Sequence, residues 1–297
     1  MTIELLAPAK INLGLEVVRK RDDGYHDIVT VFQTVSVFDR LRIDPSAQDS
    51  VELISPNAQI ESNLAERALQ MAGNAGFTTT SHRIALEKRI PVAAGMGGAS
   101  ADAAAVLRAI APDEATSLHE QALRLGSDVP FLLTGGAALA RGRGDLLETL
   151  PSLENCWFVL VCPSVEIERK TARLYGALQP GDFSDGARIN RVAASLRNQT
   201  IPDPADLANA FSRALASLIP EIPAMIDEFA RAGAPFVALS GAGPAHYTIV
   251  PSLQRAICLA SELAQSASQP RRILIARPVP SGLQVRRNKT EPPATAL

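Results

Sequence analysis

Pro91-Val-Ala-Ala-Gly-Met-Gly-Gly-Ala-Ser-Ala-Asp-Ala-Ala-Ala105 is the stretch from which the rest of the chain is read. Just before it, residues 83–90 alternate, with Ile84, Leu86 and Ile90 on one side, which predicts a strand ended by Pro91. Just after it, Ala103, Val106, Leu107 and Ile110 share one helical face, and Pro112 stops the helix. The quoted segment therefore joins a strand to a helix. Gly95, Gly97 and Gly98 let the backbone take positive φ and come close to a ligand. The first N–H groups of a helix lack internal partners and, with the helix dipole, favour an anion. Ser100 is placed either to cap this helix or to touch a phosphate or its metal. A tight turn with glycines for packing is the plainer reading. The density of glycines before a capped helix favours phosphate.

Two familiar phosphate loops do not fit. A Walker loop needs a Lys after its glycines, and none follows here. A dinucleotide fingerprint needs GxGxxG, whereas this loop offers Gly95-x-Gly97-x-x-Ser100, which argues against a nicotinamide oxidoreductase.

The surrounding composition limits the alternatives. The 297 residues suit two medium domains or one large one, and a hydrophobic fraction of 46% is ample for a core. A net charge of −2 gives no electrostatic case for nucleic acid or an anionic membrane. No apolar run approaches the ~20 residues of a membrane span, and the N-terminus lacks the plan of a signal peptide. The expectation is a soluble cytoplasmic protein. Monomer and homodimer are both open. Cys156, Cys162 and Cys258 lack CxxC spacing and read as buried, reduced thiols.

Working outward, residues 28–38 and 137–141 read as strands, and Asn63 with Glu66 opens a helix. A change of style near Pro151 sets a domain boundary, giving units 1–152 and 153–280. In the second unit, strands are expected at 157–162, 235–240, 245–250 and 271–277. Helices are expected near 170–178, 187–197, 205–218 and 252–267, with another through Ile222 and Phe229 that Gly233 closes. The fold class is α+β. Residues 281–297, polar and Pro-bearing with Arg286, Arg287 and Lys289, read as a frayed tail.

Several residues carry two readings. Asp128, just ahead of Val129-Pro130, is an N-cap carboxylate on local grounds. Lys10, in an apolar opening segment, is ordinarily a solvated strand lysine. Tyr25 and His26 follow an Asp22-Asp23-Gly24 turn, where packing is the usual explanation. Lys88 shares the parity of Ile84, Leu86 and Ile90, so it either reaches a ligand or snorkels past the sheet edge. Gly241 and Gly243 fit a β-turn between two strands. Trp157 reads as core.

PxxxGxGG(x)S(x)xAA resembles the central motif of the GHMP kinases. Ala7-Pro-Ala-Lys-Ile-Asn-Leu-Gly14, Asp23-Gly-Tyr-His26, Phe32-Gln33, Leu125-Gly-Ser-Asp-Val-Pro-Phe131 and Leu239-Ser-Gly-Ala-Gly-Pro244 fall in the order of that superfamily. Together they resemble its branch that phosphorylates the 2-hydroxyl of a cytidine-diphosphate-linked methylerythritol in non-mevalonate isoprenoid synthesis. The resemblance implies two domains with the active site in the cleft between them, and ATP and Mg²⁺ as cofactors. It makes Asp128 the group that accepts the hydroxyl proton and Lys10 its partner, with Asn12 on the substrate hydroxyl. It places nucleotide against Pro91, Gly95, Met96, Gly97, Gly98, Ala99 and Ser100, with Asn63 and Lys88 nearby and Ser100 as the protein ligand offered to the metal. It places cytosine between Tyr25 and Tyr175 with His26 on its polar edge, and Gly241 and Gly243 against phosphate or substrate. Ala99, Ala242 and His246 depart from the residues usual in this branch. The competing readings are a kinase for another alcohol, such as mevalonate or homoserine, and a non-catalytic binding module on the same fold.

Overall fold

A computed structural model describes residues 2–54, 63–111, 115–165, 167–267 and 269–287. The first half runs β1 (Ile3–Lys20), β2 (His26–Ser46), β3 (Ser50–Leu53), α1 (Leu64–Asn74), β4 (Ser81–Glu87), α2 (Gly98–Ile110), α3 (Ala115–Leu125), α4 (Val129–Thr134), β5 (Ala137–Arg141) and β6 (Leu146–Leu150). The second half continues with β7 (Trp157–Pro163), α5 (Lys170–Gly176), α6 (Ala187–Arg197), α7 (Ser212–Leu218), α8 (Glu221–Arg231), β8 (Ala238–Leu239), β9 (His246–Val250), α9 (Leu253–Gln265), β10 (Arg271–Ala276) and β11 (Gln284–Arg287).

A long antiparallel ribbon, β1 with β2, organises the first sheet, whose order is β11-β1-β2-β4-β3 with β5 on β2 and β6 on β5. Between register shifts at Pro8/Ala9 and Asn12/Leu15 the pairing is regular, with Lys10 opposite Thr34 and Asn12 opposite Phe32. Regular pleating sends alternate residues to opposite faces, so Lys10 and Asn12 share one side while Ala9, Ile11 and Leu13 share the other. All five are buried. α2 presents Ala101, Ala103, Ala104 and Ala105, each fully buried, so its backbone can lie close to its neighbours. The second sheet is β10-β7-β9-β8, and Phe211, Leu215, Ile222, Phe229, Leu259 and Leu263 fill the core around it. Two isolated bridges, Leu15 to Asn209 and Val17 to Phe183, tie β1 to the second half.

Several sequence expectations need correction. The tail is not frayed from residue 281: Gln284–Arg287 pairs antiparallel with Ile3–Leu6 and supplies hydrogen-bond partners to the outer edge of β1. Residues 288–297, including Lys289, lie outside the described residues. The helix expected over 205–218 is cut to Ser212–Leu218, because Asn209 turns its amide into bonds with the Leu239 and Gly241 carbonyls. The strand expected at 235–240 shrinks to Ala238–Leu239. Cys156 and Cys162 are buried free thiols, as read, but Cys258 is exposed.

Candidate active site

The glycine loop, the middle of β1 and the 240–244 turn meet in a cleft of about 1330 Å³. Gly95 (φ 82°) and Gly97 (φ 71°) are left-handed, and space as well as backbone angle demands glycine there. A methyl at Gly95 would sit 2.4 Å from the Ser240 carbonyl oxygen, and one at Gly97 would sit 2.9 Å from Cγ of Lys10. These glycines therefore let three protein segments converge. Close packing, one of the two readings the sequence offers for these glycines, is what this geometry contains. α2 begins at Gly98 with Gly97 as its cap residue and no side-chain cap bond. Ser100 thus lies in the first turn, on the cleft wall, and is not the helix cap.

Lys10 is the hub. Its backbone N–H donates to the Met96 carbonyl at 2.9 Å, which ties β1 to the glycine loop. Its ammonium donates to Asn12 Oδ1 at 2.6 Å, stands 3.3 Å from Asp128 Oδ2 and lies 5.1 Å from the Phe32 ring centroid. Asn12 Nδ2 in turn donates to Thr30 Oγ1 at 2.9 Å, and the Thr30 hydroxyl donates to the Gly14 carbonyl at 2.6 Å. This relay fixes the Asn12 amide so that its oxygen faces Lys10. Asp128 occupies the cap position of α4, yet its carboxylate makes no capping bond. Its side chain is 29% exposed and opens on the cleft. The local reading of Asp128 thus has the position right and the bonding wrong.

The far end of the cleft is aromatic. The His26 ring stacks on Tyr175, with centroids 4.5 Å apart and planes at 19°, and Tyr175 meets Phe211 edge-on at 4.9 Å. Tyr25 is 56% exposed, with the Arg143 guanidinium 4.7 Å from its ring centroid. Burial, then the charge of Lys20, lowers the His26 pKa. Burial, then the charge of Asp128, raises the Tyr175 hydroxyl to about 12, so the aromatic end feels the carboxylate. One face of Tyr175 is taken by His26, so an open Tyr25–Tyr175 sandwich is not formed in this structure.

The remaining candidates separate. Gly241 and Ala242 line the cleft. The Gly243 N–H closes a β-turn onto the Ser240 carbonyl at 2.8 Å, and a methyl at Gly243 would meet Leu215 and Leu239, so its α-carbon faces the core. Pro91, Met96, Gly98 and Ala99 are on the wall. Asn63 caps α1, accepting from the Ala65 N–H at 3.0 Å, and does not line the cleft. Lys88 reaches the wall, but its ammonium is held by Asp39 and by Asp102 (2.6 Å) in a buried cluster, so it does not snorkel. His246, buried, points Nδ1 at the Pro244 carbonyl (2.9 Å), and burial lowers its pKa to about 4. Sequence reasoning missed Arg143 and Lys170, both on the wall. Lys170 lies in a charged Glu168-Arg169-Lys170 run that nothing in the spacing distinguishes from a solvated helix start.

Known proteins resemble this chain along most of its length. The description "GHMP kinases N terminal domain" matches residues 63–136, and "GHMP kinases C terminal" matches residues 192–269. A 4-diphosphocytidyl-2-C-methyl-D-erythritol kinase of Pelotomaculum thermopropionicum is 37% identical, with 93% of this chain and 98% of that protein covered. The enzyme of the same name from Dehalococcoides mccartyi is 34% identical over 90% of this chain and 96% of its own. A crystal structure of 4-(cytidine 5'-diphospho)-2C-methyl-D-erythritol kinase superposes with a TM-score of 0.75 at 33% identity, covering 92% of this chain and 98% of that one. A homoserine kinase from Cytophaga hutchinsonii shares the fold, with a TM-score of 0.74 at 18% identity. With relatives this similar along nearly its whole length, the chain belongs to the GHMP kinases, in the family of the 4-diphosphocytidyl-2-C-methyl-D-erythritol kinases.

Proposed function

We propose that this chain transfers the terminal phosphoryl group of ATP to the 2-hydroxyl of 4-diphosphocytidyl-2-C-methyl-D-erythritol, a step of non-mevalonate isoprenoid synthesis carried out in the cytoplasm. The observation that carries the reading is the Lys10–Asp128 pair, 3.3 Å apart, in one cleft with the glycine loop and the Tyr25–His26–Tyr175 aromatic end. The names of the relatives support the same substrate. No helix among the described residues is long and apolar enough to cross a membrane.

In this reading the ATP phosphates lie against the 95–98 loop and the first amides of α2. Asp128 accepts the proton of the attacking hydroxyl as the new O–P bond forms, and ADP leaves with the electron pair of the broken one. The transition state is loose, so orientation of the hydroxyl matters as much as removal of its proton. The Lys10 ammonium, fixed by Asn12, steadies charge on the transferred group. Among the described residues no group of three His, Cys, Asp or Glu side chains could cage a metal, whereas the Ser100 hydroxyl is a hard oxygen donor on the wall. That donor set fits Mg²⁺ arriving with the nucleotide, with Ser100 as its protein ligand. When bound, the ion offsets phosphate charge. Tyr25 offers a stacking face for cytosine, and His26, neutral near pH 7 because burial lowers its pKa, offers a hydrogen bond to the base edge.

The test is an ADP-release assay on purified protein with the cytidine-linked alcohol, homoserine and mevalonate side by side. Release that depends on the cytidine-linked alcohol supports the reading. Release with one of the other alcohols instead, or with none, overturns it.

A further inference from the structure

Lys170 has no evident duty in the chemistry above, yet it sits where two glycine turns meet. Its ammonium donates to the carbonyls of Ala93, in the 91–98 glycine loop, and of Gly243, in the 240–244 turn, and its side chain lines the cleft. An ammonium has three N–H donors, so two are spent on the protein and one is left. No ion pair among the described residues includes Lys170. The charge it does feel is that of another cation, Lys10, and burial together with Lys10 lowers its pKa to about 8.

Bridging two carbonyls needs donors, not a charge. A neutral amide would do it without the cost of holding a cation partly out of water beside a second cation. The backbone at both ends of the contact is also unusual. Ala93 (φ 54°) and Arg169 (φ 50°) are two of the four non-glycine residues with positive φ among the described residues. Such conformations cost energy and gather at functional sites. An ammonium with no carboxylate partner, aimed into a cleft between two glycine turns, is completed by an anion that is not part of the protein.

We propose that Lys170 is a phosphate-binding residue that donates its remaining N–H to a phosphate oxygen of a bound nucleoside diphosphate group. This rests on reading the cleft as a phosphoryl-transfer site. Two sources share the chemistry: the tail of ATP and the diphosphate of the cytidine-linked alcohol. Binding would also clamp the 91–98 and 240–244 segments around the ligand through one side chain.

The experiment compares ADP, CDP, adenosine and cytidine binding, by calorimetry or competition, to the full chain and to Lys170→Gln and Lys170→Arg. Glutamine keeps amide donors for the carbonyls and removes the charge. The expected result is a loss of about tenfold or more in affinity for ADP, CDP or both in Lys170→Gln. The nucleosides should be unaffected, and Lys170→Arg should retain most of the affinity. The diphosphate that is lost identifies the source. Unchanged diphosphate binding in Lys170→Gln, or an equal fall for nucleosides and diphosphates, overturns the proposal and leaves Lys170 a brace. If Lys170→Gln does not fold, amine labelling of the wild-type chain decides. ADP or CDP should slow modification of Lys170 where adenosine and cytidine do not, and equal labelling with all four overturns the assignment. A wild-type chain that binds ADP but not CDP counts against the substrate reading, while the ADP arm still decides the role of Lys170.

Discussion

Two lysine–carboxylate groups flank the glycine loop, and they differ in the number of carboxylates and in their exposure. Lys10 meets Asp128 at 3.3 Å, and that carboxylate is 29% exposed to the cleft. Lys88 meets Asp39 and Asp102, and all three side chains are at most 5% exposed. Burial alone would lower the Lys88 pKa, but the two carboxylates outweigh it and leave it raised. Burial pushes the Asp102 carboxyl well above its usual range, against the pull of Lys88, as expected where two acids share one buried cation. Asp39 also accepts the N–H groups of Arg89 and Ile90, at the entrance to the loop. The closed cluster therefore holds the strand-to-loop corner in place, and the open pair faces the cleft. Solvent access, more than residue type, separates a group that can exchange a proton with a ligand from one that only holds backbone.

Substitutions at the two clusters should give opposite signatures. Asp128→Asn should lower kcat by about 10³-fold, about 4 kcal/mol of barrier, with melting temperature and ATP affinity little changed. An active Asp128→Asn enzyme would remove the open pair from the chemistry. Lys88→Met leaves two buried carboxylates without their cation and should cost about 3 kcal/mol of stability, read as a fall of roughly 10 °C in melting temperature. A stable but inactive Lys88→Met protein would break the comparison by moving the closed cluster into catalysis. The smallest effect sharpens the open side alone. Tyr25→Ala should raise KM for the cytidine-linked alcohol roughly tenfold, the worth of about one stacked base, and leave the KM for ATP as it was.

How legible this was depends on how local the cause is. Residues 187–197 form a helix as their periodicity says, and 157–162 form the expected buried strand, because both patterns are carried by contiguous residues. The strand at Gln284–Arg287 was hidden because its partner is β1, at the other end of the chain, and its own composition is polar. Asn209 broke an apparently helical stretch through bonds to residues about thirty positions away, which no window over 205–218 contains. At the site, the motifs brought Lys10, Asn12, Asp128, Tyr25, His26 and Tyr175 to one cleft. Of the two readings of Ser100, the helix cap fails because the helix begins at Gly98, a boundary set by the conformation of Gly97. The parity of Lys88 marks it as a lysine that needs a partner, but its two carboxylate partners come from β2 and α2 and cannot be read from the sequence around it. Lys170 carries no motif, and its significance comes only from the two turns folded against it.

The central claim is geometric, and a crystal structure of the chain with a non-hydrolysable ATP analogue and 4-diphosphocytidyl-2-C-methyl-D-erythritol tests it most directly. The account predicts the triphosphate against the 95–98 amides and the 2-hydroxyl within about 3 Å of the Asp128 carboxylate, with the Lys10 ammonium beside both. A triphosphate bound away from that loop, or a hydroxyl lying next to a different carboxylate, would contradict it.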